Sequence, residues 1–114
     1  MATSPAFMEY AADRIRSLGF ETTRYRKMFG EYMLYVDDKP VVIICDNVAM
    51  VKVLPELYEP CHRLDKQSPY SGAKEHYVLD LDDADKTRRI IDILVRVTKV
   101  PVKKQKPSKK LPLE

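Results

Sequence analysis

Cys45, Cys61, His62 and His76 are the soft ligands and nucleophiles of this 114-residue chain. A zinc site draws such residues from close pairs of the C-x-x-C or H-x-x-x-H kind, and neither spacing is present. Cys61 and His62 are adjacent, which sends their side chains in different directions, and no acid stands ready to orient the imidazole for nucleophilic catalysis. Asp82, Asp83 and Asp85 open an apolar-periodic stretch, where helix capping accounts for them before any acid–base role. The chain is therefore expected to be no enzyme and to need neither metal nor cofactor. Two cysteines with no signal peptide ahead of them are expected as reduced thiols in the cytoplasm.

The cations offer more. Arg24, Arg26 and Lys27 form the densest basic group ahead of the C-terminal tail. In an extended strand Arg24 and Arg26 share a face and Lys27 takes the other. Lys52 and Lys74 stand in two further segments, the second with Tyr70 nearby. Together these six residues are the candidate site for an anion or a partner, with arginine forks supplying paired donors. The competing expectation is cross-strand ion pairing, with Glu31, Asp37 and Asp38 as counter-charges. Tyr25, Tyr32, Tyr35, Tyr58, Tyr70 and Tyr77 interleave with these cations, as in base-stacking sheets, although strands favour tyrosine in any case. PYSGAK (69–74) lacks the spacing of a phosphate-binding P-loop. Gly72 is expected to serve a turn, with Tyr70 packed beneath it.

The elements that must position these residues are legible. Thr3 or Ser4 caps a first helix, Pro5 suits its first turn and Gly19 its stop. Phe7, Tyr10, Ala11, Ile15 and Leu18 make its apolar stripe. Glu21–Phe29 reads as a strand broken at Gly30. Tyr32, Leu34 and Val36 alternate with Met33 and Tyr35 in a second strand. Asp37-Asp38-Lys39 closes a hairpin into Val41–Cys45, a continuous apolar run expected of a central strand covered on both faces. Asp46-Asn47 turns into Val48–Val53. A short, irregular helix follows, carrying Leu57, Tyr58, Cys61 and Leu64 and interrupted by Pro60. Asp65–Lys74 reads as a loop and Glu75–Leu81 as a fifth strand. Asp82 or Asp83 caps a last helix with Thr87, Ile90, Ile91, Leu94 and Val97 on its buried side, and Asp85–Arg89 and Asp92–Arg96 as i,i+4 pairs.

The order α-β-β-β-β-α-β-α predicts a two-layer α+β domain over residues 1–100, an antiparallel sheet of about five strands with helices on one face. Residues 101–114 carry a lysine- and proline-rich tail with little to bury, and disorder is expected there. From Lys99 to the end, six lysines (Lys99, Lys103, Lys104, Lys106, Lys109 and Lys110) face only Glu114, so the net charge of +3 belongs to this C-terminal stretch. Leu113-Glu114 is set aside from the fold, a cloning scar being one expectation for it. No apolar run approaches the ~20 residues of a membrane helix.

RKMFGEYMLY (26–35), VVIICDN (41–47), Met50-Val51-Lys52 and PYSGAK (69–74) occur in the order of a known family. The chain resembles the TfoX (Sxy) N-terminal domain family over about residues 4–98, as a stand-alone member. The resemblance implies a two-layer fold similar to the secretion-chaperone-like architecture. Members of the best-known branch regulate natural competence at the level of transcription with a cyclic-AMP-responsive activator, and carry a second, helical domain. The expected function is thus a non-enzymatic, cytoplasmic, regulatory binding domain that docks a protein partner, with the transcription machinery as the expected setting. Two alternatives stand beside it: direct nucleic-acid binding through Arg24, Arg26, Lys27 and the tail, and a small enzyme or ligand binder near Lys52 and Lys74.

Overall fold

The computed structural model describes residues 3–28 and 31–100. The expected break at Gly30 and the expected disorder of residues 101–114 lie outside them. Helix α1 spans Pro5–Ser17. Ser4 caps it by accepting the Phe7 N–H, and Gly19 takes φ +107° just beyond it, where an L side chain would be strained. Strands β1 (Arg24–Met28), β2 (Glu31–Val36), β3 (Lys39–Cys45) and β4 (Val48–Lys52) form the antiparallel meander. Its two described hairpins have two-residue loops. Asp37 and Asp38 take φ of 53° and 63°, and Asp46 and Asn47 take 52° and 61°. Paired positive φ values are the signature of type I′ turns, whose twist matches that of the flanking strands, and Asp and Asn tolerate this region better than other residues with a side chain.

A single 3₁₀ turn at Pro55–Leu57 leads into α2, Tyr58–Cys61. Pro60 lies inside this one-turn helix. It fits because the N–H it lacks belongs to the first turn, where no intrahelical acceptor exists. Strand β5 (Lys66–Gln67) and strand β6 (His76–Val78) precede α3 (Ala84–Val97), which Asp83 caps by accepting the Lys86 N–H. The sheet order is β1-β2-β3-β4-β6-β5, every pairing antiparallel.

The sheet has six strands rather than about five. The extra one is β5, inside the stretch read as a loop. Its two residues are polar and exposed, so no alternation marks them, and only pairing with β6 makes them a strand. The strand expected over Glu75–Leu81 shortens to β6, although the Leu79 N–H still donates to Ala49 O at 2.8 Å.

One face of the sheet and all three helices share a single core. Leu34, Val36, Val42, Ile44, Ala49, Val51 and Tyr77 from the strands meet Met8, Ala11, Ala12 and Ile15 of α1, Leu57 and Cys61 around α2, and Ile90, Ile91 and Leu94 of α3. The helix stripes are rotated from expectation. In α1, Met8 and Ala12 are buried, whereas Tyr10 is 42% exposed and donates its hydroxyl to Asp82. Tyr58 and Val97 are likewise exposed. Their phenol and apolar ends sit at the rims of their stripes, where packing on the sheet stops. Arg14 ties α1 to the start of α3 by donating to Leu81 O at 2.7 Å. The pair expected between Asp85 and Arg89 does not form: Asp85 meets Arg88 and Arg89 reaches across to Glu59, while Asp92–Arg96 forms as expected.

Both cysteines are free and buried, Cys61 in the core and Cys45 at the end of β3. Burial pushes each thiol up to about 11, with Glu31 and Asp46 adding to the shift at Cys45. The Tyr10 hydroxyl is also raised, first by its hydrogen bond to Asp82, and that of Tyr25 by its hydrogen bond to Glu9. Groups raised in the folded state contribute their stability fully below the unfolded values, 9.0 for the thiols and 10.0 for the phenols. That stability is lost as pH rises through the folded values. Urea unfolding followed at intervals from pH 8 to pH 11 should therefore show a midpoint that falls steadily above about pH 9. In the native protein at pH 8, disulfide-exchange reagents should label both thiols far more slowly than in urea. A flat midpoint with fast native labelling would contradict this burial.

Candidate functional site

The strand order divides the candidate site. Arg24, Arg26 and Lys27 lie on the edge strand β1, and Lys52 ends β4. Three inter-strand steps, about 14 Å, separate β1 from β4. Lys74 lies beyond β4, just before β6. The six residues therefore form two groups and one outlier.

At β1 the ion-pair expectation holds for Arg24. Its Nε and Nη2 lie 3.1 and 3.0 Å from Asp38 Oδ1, and its guanidinium stands 4.8 Å from the centre of the Tyr35 ring. The hairpin turn that holds Asp38 at positive φ delivers this carboxylate to the strand two away from it. Asp37 is engaged separately, accepting the Thr22 hydroxyl. Glu31 also turns elsewhere, accepting from Thr3 Oγ1 and from the Asp46 N–H. Arg26 shares the Arg24 face, opposite Met33 in register, while Lys27 lies opposite Tyr32 on the alternate row. Neither makes an ion pair among the described residues.

Three of the tyrosines pack. Tyr25 and Tyr32 meet edge-on at 5.6 Å, and Tyr77 is buried. Tyr58 stacks on His62 at 4.8 Å. Cys61 is in the core beside it, so the adjacent Cys61 and His62 do point apart. Among the described residues no three His, Cys, Asp or Glu side chains group as metal ligands.

Lys52 and Lys74 come together at the opposite end. With Val53, Leu54, Lys66, Glu75 and His76 they line an open groove of about 570 Å³. Lys52 and His76 are register partners between β4 and β6, and Gln67 is the partner of His76 on β5. His76 Nδ1 lies 3.0 Å from Lys74 O. Lys66 holds its ammonium 5.7 Å from the centre of the Tyr77 ring. Tyr70 lies outside this wall and is 64% exposed, so it does not pack under its turn. The loop is held by backbone and a hydroxyl instead: the Ala73 N–H donates to Tyr70 O and Ser68 Oγ donates to Ala73 O. Gly72 takes φ +89° there, the turn role expected of it. Lys66, Glu75 and His76 were not among the residues read as a site. No local pattern marks them, because β5 exists only through its pairing.

The helix-free face of the sheet is the other notable surface. Met33 and Tyr35 on β2, Ile43 on β3, Val48 and Met50 on β4 and Val78 on β6 share it by register. None belongs to the core that the helices cover. Met50 is fully buried between its neighbours Ile43 and Val78, which are themselves half-buried. A sheet covered on one side ordinarily turns polar residues outward. Here the outward positions of the central strands are apolar.

These features define a two-layer α+β domain with one helix-free, apolar sheet face and cations at both ends of the sheet. The family model of the TfoX N-terminal domain matches residues 16–97, and the chain belongs to that family. It is also 35% identical over 113 residues to the "Uncharacterized 12.7 kDa protein in trpE 5'region" of Spirochaeta aurantia. The match covers 96% of this chain and 91% of that protein. No helix among the described residues is long and apolar enough to cross a membrane.

Proposed function

We propose that this chain is a non-enzymatic, cytoplasmic binding domain that docks a protein partner on the helix-free face of its sheet, in the regulation of transcription. The observation that carries this reading is the apolar outward row Met33, Ile43, Met50 and Val78, with Tyr35 two positions along β2 from Met33. The β3 run Val41–Cys45 has the composition of a strand covered twice, and the described helices cover it once. A docked partner supplies the second cover. Neighbouring apolar side chains left partly exposed on one sheet face favour an interaction site. Arg26 at the rim has no ion-pair partner among the described residues and favours an acidic edge on the partner. The regulatory setting is that of the TfoX family.

Affinity capture from the host, followed by titration of the purified partner, tests the reading. The partner should bind the full chain and a form ending at Val100 alike, and lose affinity when the apolar row is changed. Labelled DNA and RNA measured by anisotropy form the opposing arm. Replacing Arg24 and Arg26 together by Gln should leave nucleic-acid signals unchanged and lower stability by no more than about 1 kcal/mol, because the Arg24–Asp38 pair is solvent-exposed. Salt-resistant nucleic-acid binding that this double substitution abolishes would replace partner docking as the reading.

A further inference from the structure

We infer that the groove between the end of β4 and the start of β6 is a binding site for a small ligand carrying a phosphate dianion. Three ammonium groups (Lys52, Lys66 and Lys74) stand against one carboxylate, Glu75. The excess of two positive charges matches the charge of a phosphate monoester near neutral pH, about −1.5 to −2. None of the three lysines makes an ion pair among the described residues. Five arginines, Arg16, Arg24, Arg88, Arg89 and Arg96, do have carboxylate partners. The groove thus gathers three cations that have no ion pair among the described residues, against a single carboxylate.

The groove is also built by tertiary pairing. Lys52 and His76, register partners on β4 and β6, are two hydrogen-bonding side chains held at strand spacing in its wall. Lys74 joins them from the loop whose conformation Gly72 permits. A carbonyl oxygen can only accept, so the contact of His76 Nδ1 with Lys74 O places the imidazole proton on Nδ1. Nε2 is then the ring atom left for a ligand, as an acceptor from a ligand hydroxyl or, in the imidazolium, as a donor to a phosphate oxygen. Val53 and Leu54 add apolar wall. The volume, about 570 Å³, suits a small molecule, for which sites span roughly 300–1,000 Å³. Lysine serves here as a flexible point charge, a common device for phosphate. This site adjoins the apolar row on the same sheet face, Lys52 and His76 being the next outward positions after Met50 and Val78, but its phosphate titration is read without a protein partner, so either proposal can fail without the other.

The test uses the two histidines as reporters. Imidazole resonances of the full chain are followed by NMR during titration with inorganic phosphate and with ribose 5-phosphate. Sodium chloride at matched ionic strength and uncharged ribose are the controls. His76 should shift saturably with both phosphates, and His62, stacked on Tyr58 in α2, should stay in place. Tighter binding of ribose 5-phosphate identifies an organic phosphate as the ligand, and equal binding identifies free phosphate. The exposed positions Lys52 and Lys74 are then replaced together by Gln. The double variant should keep its melting temperature and bind at least about tenfold more weakly, the loss expected when charge-assisted hydrogen bonds are removed. E75Q should bind more tightly. Shifts that chloride reproduces, or saturable shifts that survive K52Q/K74Q, would overturn the proposal.

Discussion

Replacing Ile44 by Ala should lower the stability of the domain by about 2–5 kcal/mol, the cost of emptying a buried isoleucine site. Ile44 has no exposed surface and belongs to the core shared by the sheet and the helices. It sits in register between Tyr32 on β2 and Ala49 on β4. With Ala49 already small, little side-chain bulk is at hand to collapse into the gap. A domain of this size has about 5–15 kcal/mol in all. The melting temperature should fall by about 8 °C or more, at roughly 4–8 °C per kcal/mol. A shift of only a few degrees would mean that the core relaxes around β3, and the central position assigned to that strand would be wrong.

The neighbouring isoleucine should behave in the opposite way. Ile43→Glu is expected to weaken partner binding by more than about 30-fold, the loss typical of an interface hot spot, while costing much less stability than the change at Ile44. Ile43 lies on the helix-free face, opposite Met33 and Met50, and is only half-buried. Its new carboxylate reaches solvent in the free protein. In the complex it is buried against an apolar partner surface and, with an acidic partner edge near Arg26, repelled as well. Calorimetric titration of the captured partner gives the affinity, and thermal unfolding of the free variant gives the stability. Full binding by a folded Ile43→Glu variant would remove the apolar row as the docking surface. Two adjacent residues of one type thus separate fold from function, because successive side chains of a strand face opposite sides of the sheet.

Much of this architecture is written in short-range pattern. Ser4 and Pro5 start α1, Asp83 starts α3, and the periodic apolar residues between cap and stop define both helices. Asp37-Asp38 and Asp46-Asn47 set two hairpins, because Asp and Asn accept positive φ more readily than other residues with a side chain. These features depend on neighbours within a few positions, so a linear reading captures them. The rotation of the α1 stripe escaped it. Tyr10 is apolar enough to look like core, but its hydroxyl finds Asp82, a residue 72 positions away.

The site is where local pattern ends. Arg24, Arg26 and Lys27 read as one cluster and join Lys52, Tyr70 and Lys74 in one candidate site, which the strand order parts across the sheet. Arg24 is consumed by Asp38 because a tight turn, not sequence proximity, brings that carboxylate back. The groove gathers Lys52, Lys66, Lys74 and His76 only because β6 returns antiparallel beside β4 and draws β5 with it. Residue types and local periodicity settled the helices, the turns and the alternation of each strand, since those are governed by backbone sterics and capping over a few residues. Which faces meet, which charges are neutralised and which remain free followed from long-range pairing, whose register is fixed by the burial of one whole sheet face against three helices.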